Sequence, residues 1–309
     1  MLRSSLLAMA SNNKLKNVVT ALPPTRAVVS RFVSGETVGE AIPVLKRLAD
    51  DGLLTTVDFL GEDVVTKAQA DKTVTTYLDL LQWLAAERLT HTAEVSVKLS
   101  ALGQKLPGEG HQIALDNART ICTAAQSFGT TVTLDMEDHT TTDDTLAVLR
   151  ELRMDFPFLG AVLQAYLHRT HDDCRALATP GSRIRLCKGA YNEPAEVAYR
   201  DAAAVDKSYV RCLRTLMEGK GYPMVATHDP RLIAIAGELA SRNDRGADSF
   251  EYQMLFGIRP SEQRRLAAAG NRVRVYVPFG TDWYAYFMRR LAERPANVGL
   301  LVNALARRR

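Results

Sequence analysis

The sequence predicts an α/β fold closed into a (β/α)8 TIM-like barrel with extra helices at its N-terminus. Two observations carry that reading. Short hydrophobic runs ending in polar or charged residues recur along the 309-residue chain, and amphipathic stretches of helical period separate them. Alternating strand and helix implies a parallel sheet, and eight repeats imply closure. An open doubly wound sheet is the competing architecture, but no Gly-x-Gly-x-x-Gly follows the first run.

Residues 1–50 read as helices packed on the barrel, with Ser34-Gly-Glu-Thr37 as turn and cap before a helix over Val38–Asp50. Residues 51–309 read as the barrel itself, one structural unit with what precedes it. The first strand falls at Thr56–Gly61, followed by a helix over Asp71–Arg88. Val95–Ser100 leads to a helix over Gly110–Phe128, and Val132–Asp138 and Ala161–Tyr166 supply the next two strands. Ile184–Tyr191 precedes a helix over Glu196–Met217, and Met224–Asp229, Phe250–Leu255 and Val273–Pro278 complete the eight. The last strand runs into a helix whose start carries Arg289 and Arg290. Tyr286, Arg289, Arg290 and Glu293 stand there at i, i+3, i+4 and i+7, so they share one arc.

Bulk properties narrow the partners. The net charge is +4, and no Lys/Arg stripe interleaves with aromatics, so nucleic acid is not an expected partner. Four cysteines (Cys122, Cys174, Cys187 and Cys212) lack the spacing of a disulfide framework or zinc site, which fits a reducing cytoplasm. The apolar stretch after Arg3 is too short for a secretion signal, and no run reaches the roughly 20 apolar residues of a membrane span. The Arg-rich C-terminal tail can touch an anionic membrane face, although such tails are more often only solvated.

The chemistry sits at strand ends: Lys98, Asp135, Gln164, Arg185, Lys188, Thr227, His228, Gln253 and Tyr276. In a (β/α)8 barrel those ends form the active-site face. Each has a plainer reading beside it. Asp138 and Asp229 suit helix N-caps, His228 suits a core or capping histidine, and glycine after a strand permits a tight turn. Two adjacent arginines repel unless an anion lies between them, and their forks match carboxylate or phosphate. Asp135-Met-Glu-Asp-His139, His168, His171 and His228 offer ligands for a divalent ion, but the surrounding cations repel a metal. A Schiff-base enzyme using Lys98 or Lys188, or a non-enzymatic anion binder, are the other classes open to this residue set.

Seven ordered motifs point further: Ser96-Val-Lys-Leu-Ser100, Leu134-Asp-Met-Glu-Asp138, Gln164-Ala-Tyr-Leu, Arg185-Leu-Cys-Lys-Gly-Ala-Tyr191, Ala226-Thr-His-Asp-Pro230, Phe250-Glu-Tyr-Gln253 and Tyr286-Phe-Met-Arg-Arg290. With Asp58-Phe-Leu-Gly-Glu62 they make the chain resemble the proline dehydrogenases, in their single-domain bacterial form. The resemblance implies a (β/α)8 barrel that binds FAD and oxidises L-proline to 1-pyrroline-5-carboxylate, the first step of proline catabolism to glutamate. A hydride would pass from the ring carbon next to nitrogen to flavin N5, and electrons onward to a membrane quinone. The location implied is cytoplasmic, with peripheral contact at the inner membrane face.

Carried over by motif, Asp135 and Arg185 take catalytic positions, while Arg289, Arg290 and Lys98 face the substrate carboxylate. Tyr191, Leu255, Tyr276 and Tyr286 would wall the proline ring. Met136, Gln164, Arg185, Lys188, Gly189, Ala190, Thr227, His228, Gln253 and Glu293 fall at flavin-contacting positions. Relatives accepting 4-hydroxyproline carry a smaller residue at the Tyr276 position. Cys187 stands where the pattern has an aliphatic residue, a conservative swap. No residue is assigned as base to the substrate amine, because Asp135 suits a partner role to Lys98 or Arg185 better.

Overall fold

The computed structural model describes residues 29–293, with side chains through Arg290. Eight parallel strands close in sequence order: β1 (Leu54–Phe59), β2 (Ala93–Val97), β3 (Val132–Leu134), β4 (Gly160–Gln164), β5 (Arg183–Cys187), β6 (Tyr222–Ala226), β7 (Glu251–Leu255) and β8 (Val273–Phe279). β8 pairs back onto β1 in a register that opposes Thr56 to Tyr276 and Asp58 to Pro278. Among the described residues α1 (Val38–Asp50) leads into the barrel, and α2 (Lys67–Ala86), α3 (Gly110–Ser127), α4 (Thr142–Leu152) and α5 (Thr170–Leu177) follow the first four strands. Then come α6 (Ala202–Glu218), α7 (Pro230–Arg242), α8 (Pro260–Ala268) and α9 (Trp283–Glu293), one after each later strand. The predicted closed barrel is therefore present, strand by strand.

Local chemistry explains most element ends. Thr37 Oγ1 accepts from the Glu40 amide at 3.3 Å, so the predicted cap opens α1, which buries Ala41, Ile42, Leu45 and Leu48 in the main core. Asp138 and Asp229 also act as caps, accepting from the Thr140 and Arg231 amides at 3.0 Å. Residues 1–28, expected to be helical, lie outside the described residues.

Two boundaries differ from expectation. α6 begins at Ala202 and not at Glu196, because Asp201 caps it by accepting from the Ala204 amide at 2.8 Å. α9 begins at Trp283, directly after the turn at Gly280 (φ +123°), so Arg289 and Arg290 lie past its first turn and not at its start. A left-handed turn there costs little only for glycine.

Along each strand the side chains alternate. Val57, Val95, Val97, Leu134, Ile184, Leu186, Val273 and Val275 join one apolar core with helix residues such as Tyr77, Leu81, Ala118, Leu149 and Leu213. The intervening positions are Thr56 and Asp58, Glu94 and Ser96, Thr133, Arg183 and Arg185, Glu251 and Gln253, and Arg274 and Tyr276. These touch across the barrel: Arg183 on β5 meets Glu94 on β2, and Tyr276 on β8 meets Asp135 just after β3. Strands that far apart in a closed barrel can meet only through its interior. The barrel lumen is thus polar and ionic, and the apolar core is the shell between strands and helices.

Candidate active site

The lumen holds two tiers of ions. In the lower tier Glu94 accepts from Arg183 Nη2 at 2.5 Å and from Thr56, Thr131 and Thr133 hydroxyls at 2.8, 2.9 and 3.2 Å. Burial would raise its carboxyl, but Arg183, Arg274 and Arg185 together hold it well below the usual carboxylate range. Beside it, Glu251 accepts from Arg274 Nε at 2.7 Å and Nη2 at 3.1 Å, and from the Tyr222 hydroxyl at 3.1 Å.

The upper tier is centred on Asp135. Its Oδ1 accepts from Arg185 Nη1 at 2.5 Å and Ser96 Oγ at 2.7 Å, and its Oδ2 accepts from the Tyr276 hydroxyl at 2.7 Å. Lys98 Nζ stands 3.8 Å away, donating at 2.7 and 2.8 Å to both oxygens of Asp58. Arg185 also donates from Nε to Gln253 Oε1 at 2.5 Å, and its guanidinium lies 5.3 Å from the Tyr276 ring centre. Its Nη2 is buried and makes no hydrogen bond, with Glu94 no nearer than 3.9 Å. Asp135 therefore takes the partner role read from the sequence, now with three donors on one carboxylate.

The ionisation of this tier follows from its pairing. Burial pushes the Asp58 carboxyl up to about 6 against the pull of Lys98. Burial also works against the Lys98 ammonium, yet Asp58, Asp135 and Glu62 keep it charged well above the ordinary lysine range. Burial raises the Tyr276 phenol, and the charge of Asp135 raises it further, so it stays a donor.

Above Lys98 lies the arm from α9. Arg289 Nη2 donates to Glu62 Oε1 at 2.8 Å, a residue just beyond β1. Burial would raise the Glu62 carboxyl, but Arg289 and then Lys98 outweigh it, which places all three ions within one another's fields. Burial raises the Tyr191 phenol, with Glu62 adding to it, so that ring belongs to the same corner. Arg290 stacks 5.1 Å from the Tyr286 ring centre, as i and i+4 on one helix face require. The side chain of Glu293 lies outside the described residues.

The remaining predicted residues occupy the sector where β4, β5 and β6 end. Gln164 Nε2 donates to the Glu137 carbonyl at 2.7 Å beside buried Met136. Lys188 Nζ pairs with Asp206 at 2.5 Å and Asp229 at 3.4 Å. Gly189 has φ +110°, and any Cβ there would meet the Tyr166 ring at 2.3 Å, so Tyr166 alone already requires glycine. Ala190 follows it, half-buried. The Thr227 hydroxyl accepts from the Asp229 amide at 3.1 Å. His228 Nε2 accepts from the Leu255 amide at 2.9 Å, which puts the ring proton of the neutral form on Nδ1.

Reading strands as runs that end in chemistry missed Asp58, Glu62, Glu94, Ser96, Arg183, Glu251 and Arg274. The signal was present as period-two alternation: Thr56-Val-Asp58, Glu94-Val-Ser-Val-Lys98, Arg183-Ile-Arg185 and Glu251-Tyr-Gln253 each put polar residues on one face.

Comparison with known proteins agrees with this architecture. The proline dehydrogenase family model matches residues 41–302. Proline dehydrogenase 1 of Bacillus subtilis (strain 168) is 38% identical over 308 residues, covering 100% of both chains. Proline dehydrogenase of Deinococcus radiodurans is 41% identical over 280 residues, covering 90% of each. Among solved structures, proline utilization A (PutA) from Bdellovibrio bacteriovorus, inactivated by N-propargylglycine, superimposes with a TM-score of 0.79 at 28% identity over 86% of this chain and 32% of that one. The chain thus spans about a third of that longer protein. With the family model matched over most of the barrel and full-length relatives at these identities, the chain belongs to the proline dehydrogenase family.

Proposed function

We propose that this chain oxidises L-proline to 1-pyrroline-5-carboxylate with FAD as cofactor, and that a quinone takes the electrons. The observation that carries the reading is the division of the barrel mouth. Cations that suit a small carboxylate (Lys98, Arg289 and Arg290) come from just past the end of β2 and from α9, beside the Tyr191 and Tyr286 rings. Polar groups that suit a larger, hydrogen-bonding cofactor line the adjoining ends of β4, β5 and β6. Asp135, Arg185, Gln253 and Tyr276 stand between the two sectors.

The residues present fit a flavin. Arg185 Nη2 is a buried donor that makes no hydrogen bond, its nearest carboxylate being Glu94 at 3.9 Å, and such a donor costs free energy unless an acceptor meets it. Gln164, Lys188, Thr227 and His228 would hold the cofactor, with Met136 and the Gly189-Ala190 turn packed alongside. When bound, FAD supplies the two-electron acceptor that no side chain provides. The chain's own residues do the rest: Arg289, Arg290 and Lys98 fix the substrate carboxylate, and Tyr191, Tyr276, Tyr286 and Leu255 confine the ring. Glu62 holds the Arg289 fork in the meantime, so an incoming carboxylate must compete with it. Asp135 is committed to three donors, which supports assigning no base and binding proline as the neutral amine. The direct test is an absorbance spectrum before and after anaerobic L-proline. Flavin bands that bleach support the reading, and a protein inert after FAD reconstitution overturns it.

Two further results are expected here. The Tyr276 ring is pinned by Asp135 and stacked on Arg185, so it cannot swing aside for a ring hydroxyl. Trans-4-hydroxy-L-proline should be at least about 10-fold poorer than L-proline in kcat/KM, and Tyr276→Ser should narrow the gap. Equal kcat/KM for both substrates in the parent enzyme rejects that role.

For pH, Asp58 is neutral below about 6 and anionic above it, and only the anion fixes Lys98 through two bonds. kcat/KM should therefore rise as pH climbs through about 6, and Asp58→Asn should remove that limb. A further rise toward alkaline pH then reports the substrate amine, and it should persist in Asp58→Asn. A flat profile across roughly pH 6 to 9 contradicts binding of the neutral amine.

No helix among the described residues is long and apolar enough to cross a membrane. A quinone acceptor calls instead for a cytoplasmic protein that touches the inner face of the membrane. Turnover with a short-chain quinone in place of a dye tests that part.

A further inference from the structure

Arg185 is held from two sides, and only one of them is the carboxylate of Asp135. On the other, its Nε donates to Gln253 Oε1 at 2.5 Å. A glutamine amide has two unlike ends, so this contact exists only while the oxygen faces Arg185. The opposite end of that amide donates from Nε2 to Glu251 Oε1 at 2.6 Å and lies 3.2 Å from Met224 Sδ. Glu251 and Gln253 are i and i+2 on β7, so both side chains enter the lumen from one face. Glu251 is itself clamped by Arg274 through Nε and Nη2, and Arg274 Nη1 donates to the Thr55 carbonyl at 2.9 Å. The order is therefore backbone, Arg274, Glu251, Gln253, Arg185, with each link able to point only one way.

We propose that Glu251 is a positioning residue, acting through the Gln253 amide to aim the Arg185 guanidinium into the site. The proposal rests on the proline-oxidation reading for its consequence and on the geometry alone for its cause. A carboxylate can only accept, so it demands the NH2 end of Gln253 and leaves the oxygen for Arg185. Glutamine at 251 has one acceptor atom where the carboxylate has two. Arg274 Nε and Gln253 Nε2 both donate to Glu251 Oε1, so the new NH2 has two places to go. It either takes the Oε2 place against Arg274 Nη2 and loosens the clamp on residue 251, or takes the Oε1 place against both donors and turns the Gln253 amide. Glu251 stays ionised because Arg274 outweighs the effect of burial, so it keeps this demand at neutral pH. Arg185 Nη2, buried and unbonded, is the atom whose aim then suffers.

Three full-length, FAD-loaded proteins test the idea: parent, Glu251→Gln and the exchanged pair Glu251→Gln/Gln253→Glu. The exchange keeps the charge count and puts an acceptor-only group on Arg185 Nε, whatever residue 251 does. Glu251→Gln should lower kcat for L-proline about 10- to 100-fold, more than it changes KM, and should shift the midpoint potential of the bound flavin. The exchanged pair should recover part of kcat, while the carboxylate now at position 253 moves the potential on its own account. A second readout needs neither flavin nor proline: the Arg185 Nε–H signal in 15N-arginine-labelled protein. Its solvent exchange should be slow in the parent, fast in Glu251→Gln and slow again in the exchanged pair.

If Glu251→Gln melts earlier but keeps the parent's potential and slow exchange, Glu251 only clamps Arg274, and the proposal is overturned. It is equally overturned if Arg185 Nε–H exchange in the exchanged pair is no slower than in the single variant. A parent enzyme that does not oxidise L-proline sinks the functional reading instead, and the exchange measurement still decides this one.

Discussion

Replacing Asp135 with asparagine should lower kcat/KM for L-proline by about 100- to 1000-fold, the cost of removing one preorganised electrostatic contact. The effect is large because one carboxylate serves three donors (Arg185, Ser96 and Tyr276) with Lys98 at 3.8 Å. An amide at that position has one acceptor oxygen, so its NH2 must face either the guanidinium or the phenol. Breaking a buried ion pair from one side also costs about 3–5 kcal/mol, because the surviving charge stays desolvated. The variant should thus melt well below the parent while the far-ultraviolet signature of the barrel persists. Steady-state kinetics and a melting curve measure both effects. Asp135→Asn within about threefold of the parent in kcat/KM would show that Arg185 holds its aim without Asp135.

Arg289→Met should act on substrate binding. Arg289 and Glu62 are half-buried, so truncation should cost about 2 kcal/mol, the low end for a desolvated charge pair, and KM for L-proline should rise about 30-fold. Two effects combine here. The substrate carboxylate loses a fork, and Glu62 loses the partner that now donates to it at 2.8 Å. Left beside Lys98, an unpaired Glu62 competes for the ammonium the substrate also needs. Removing Glu62 as well, in Arg289→Met/Glu62→Gln, should therefore recover part of the lost affinity. A double variant no better than Arg289→Met would show that Glu62 does not compete for Lys98.

Much of this was legible in the chain. Eight strand runs and the Thr37 cap follow from local rules, and each is present where the sequence puts it, within a few residues. The strand-end residues Lys98, Asp135 and Arg185 do share one cluster, because a closed parallel barrel gathers all its C-terminal strand ends at one mouth. What local rules could not place was the start of α9. Its position follows from the turn at Gly280, whose amide donates to the Gly35 carbonyl at 2.9 Å, a contact between distant parts of the chain. The ionic lumen does not follow from strand-end residues, although its period-two pattern is in the sequence. Polar residues inside a strand ordinarily mark a solvated face, and only closure turns that face inward.

The sequence by itself determined the barrel, its order of elements and the family, because periodicity, caps and ordered motifs are properties of neighbouring residues. Tertiary structure alone decided which charges meet. Glu94 with Arg183, Asp135 with Arg185 and Tyr276, and Arg289 with Glu62 are separated by 89, 50, 141 and 227 residues. Buried charges tolerate one another only in specific pairs, and the register of a closed sheet fixes which side chains share a layer. No local rule contains that register.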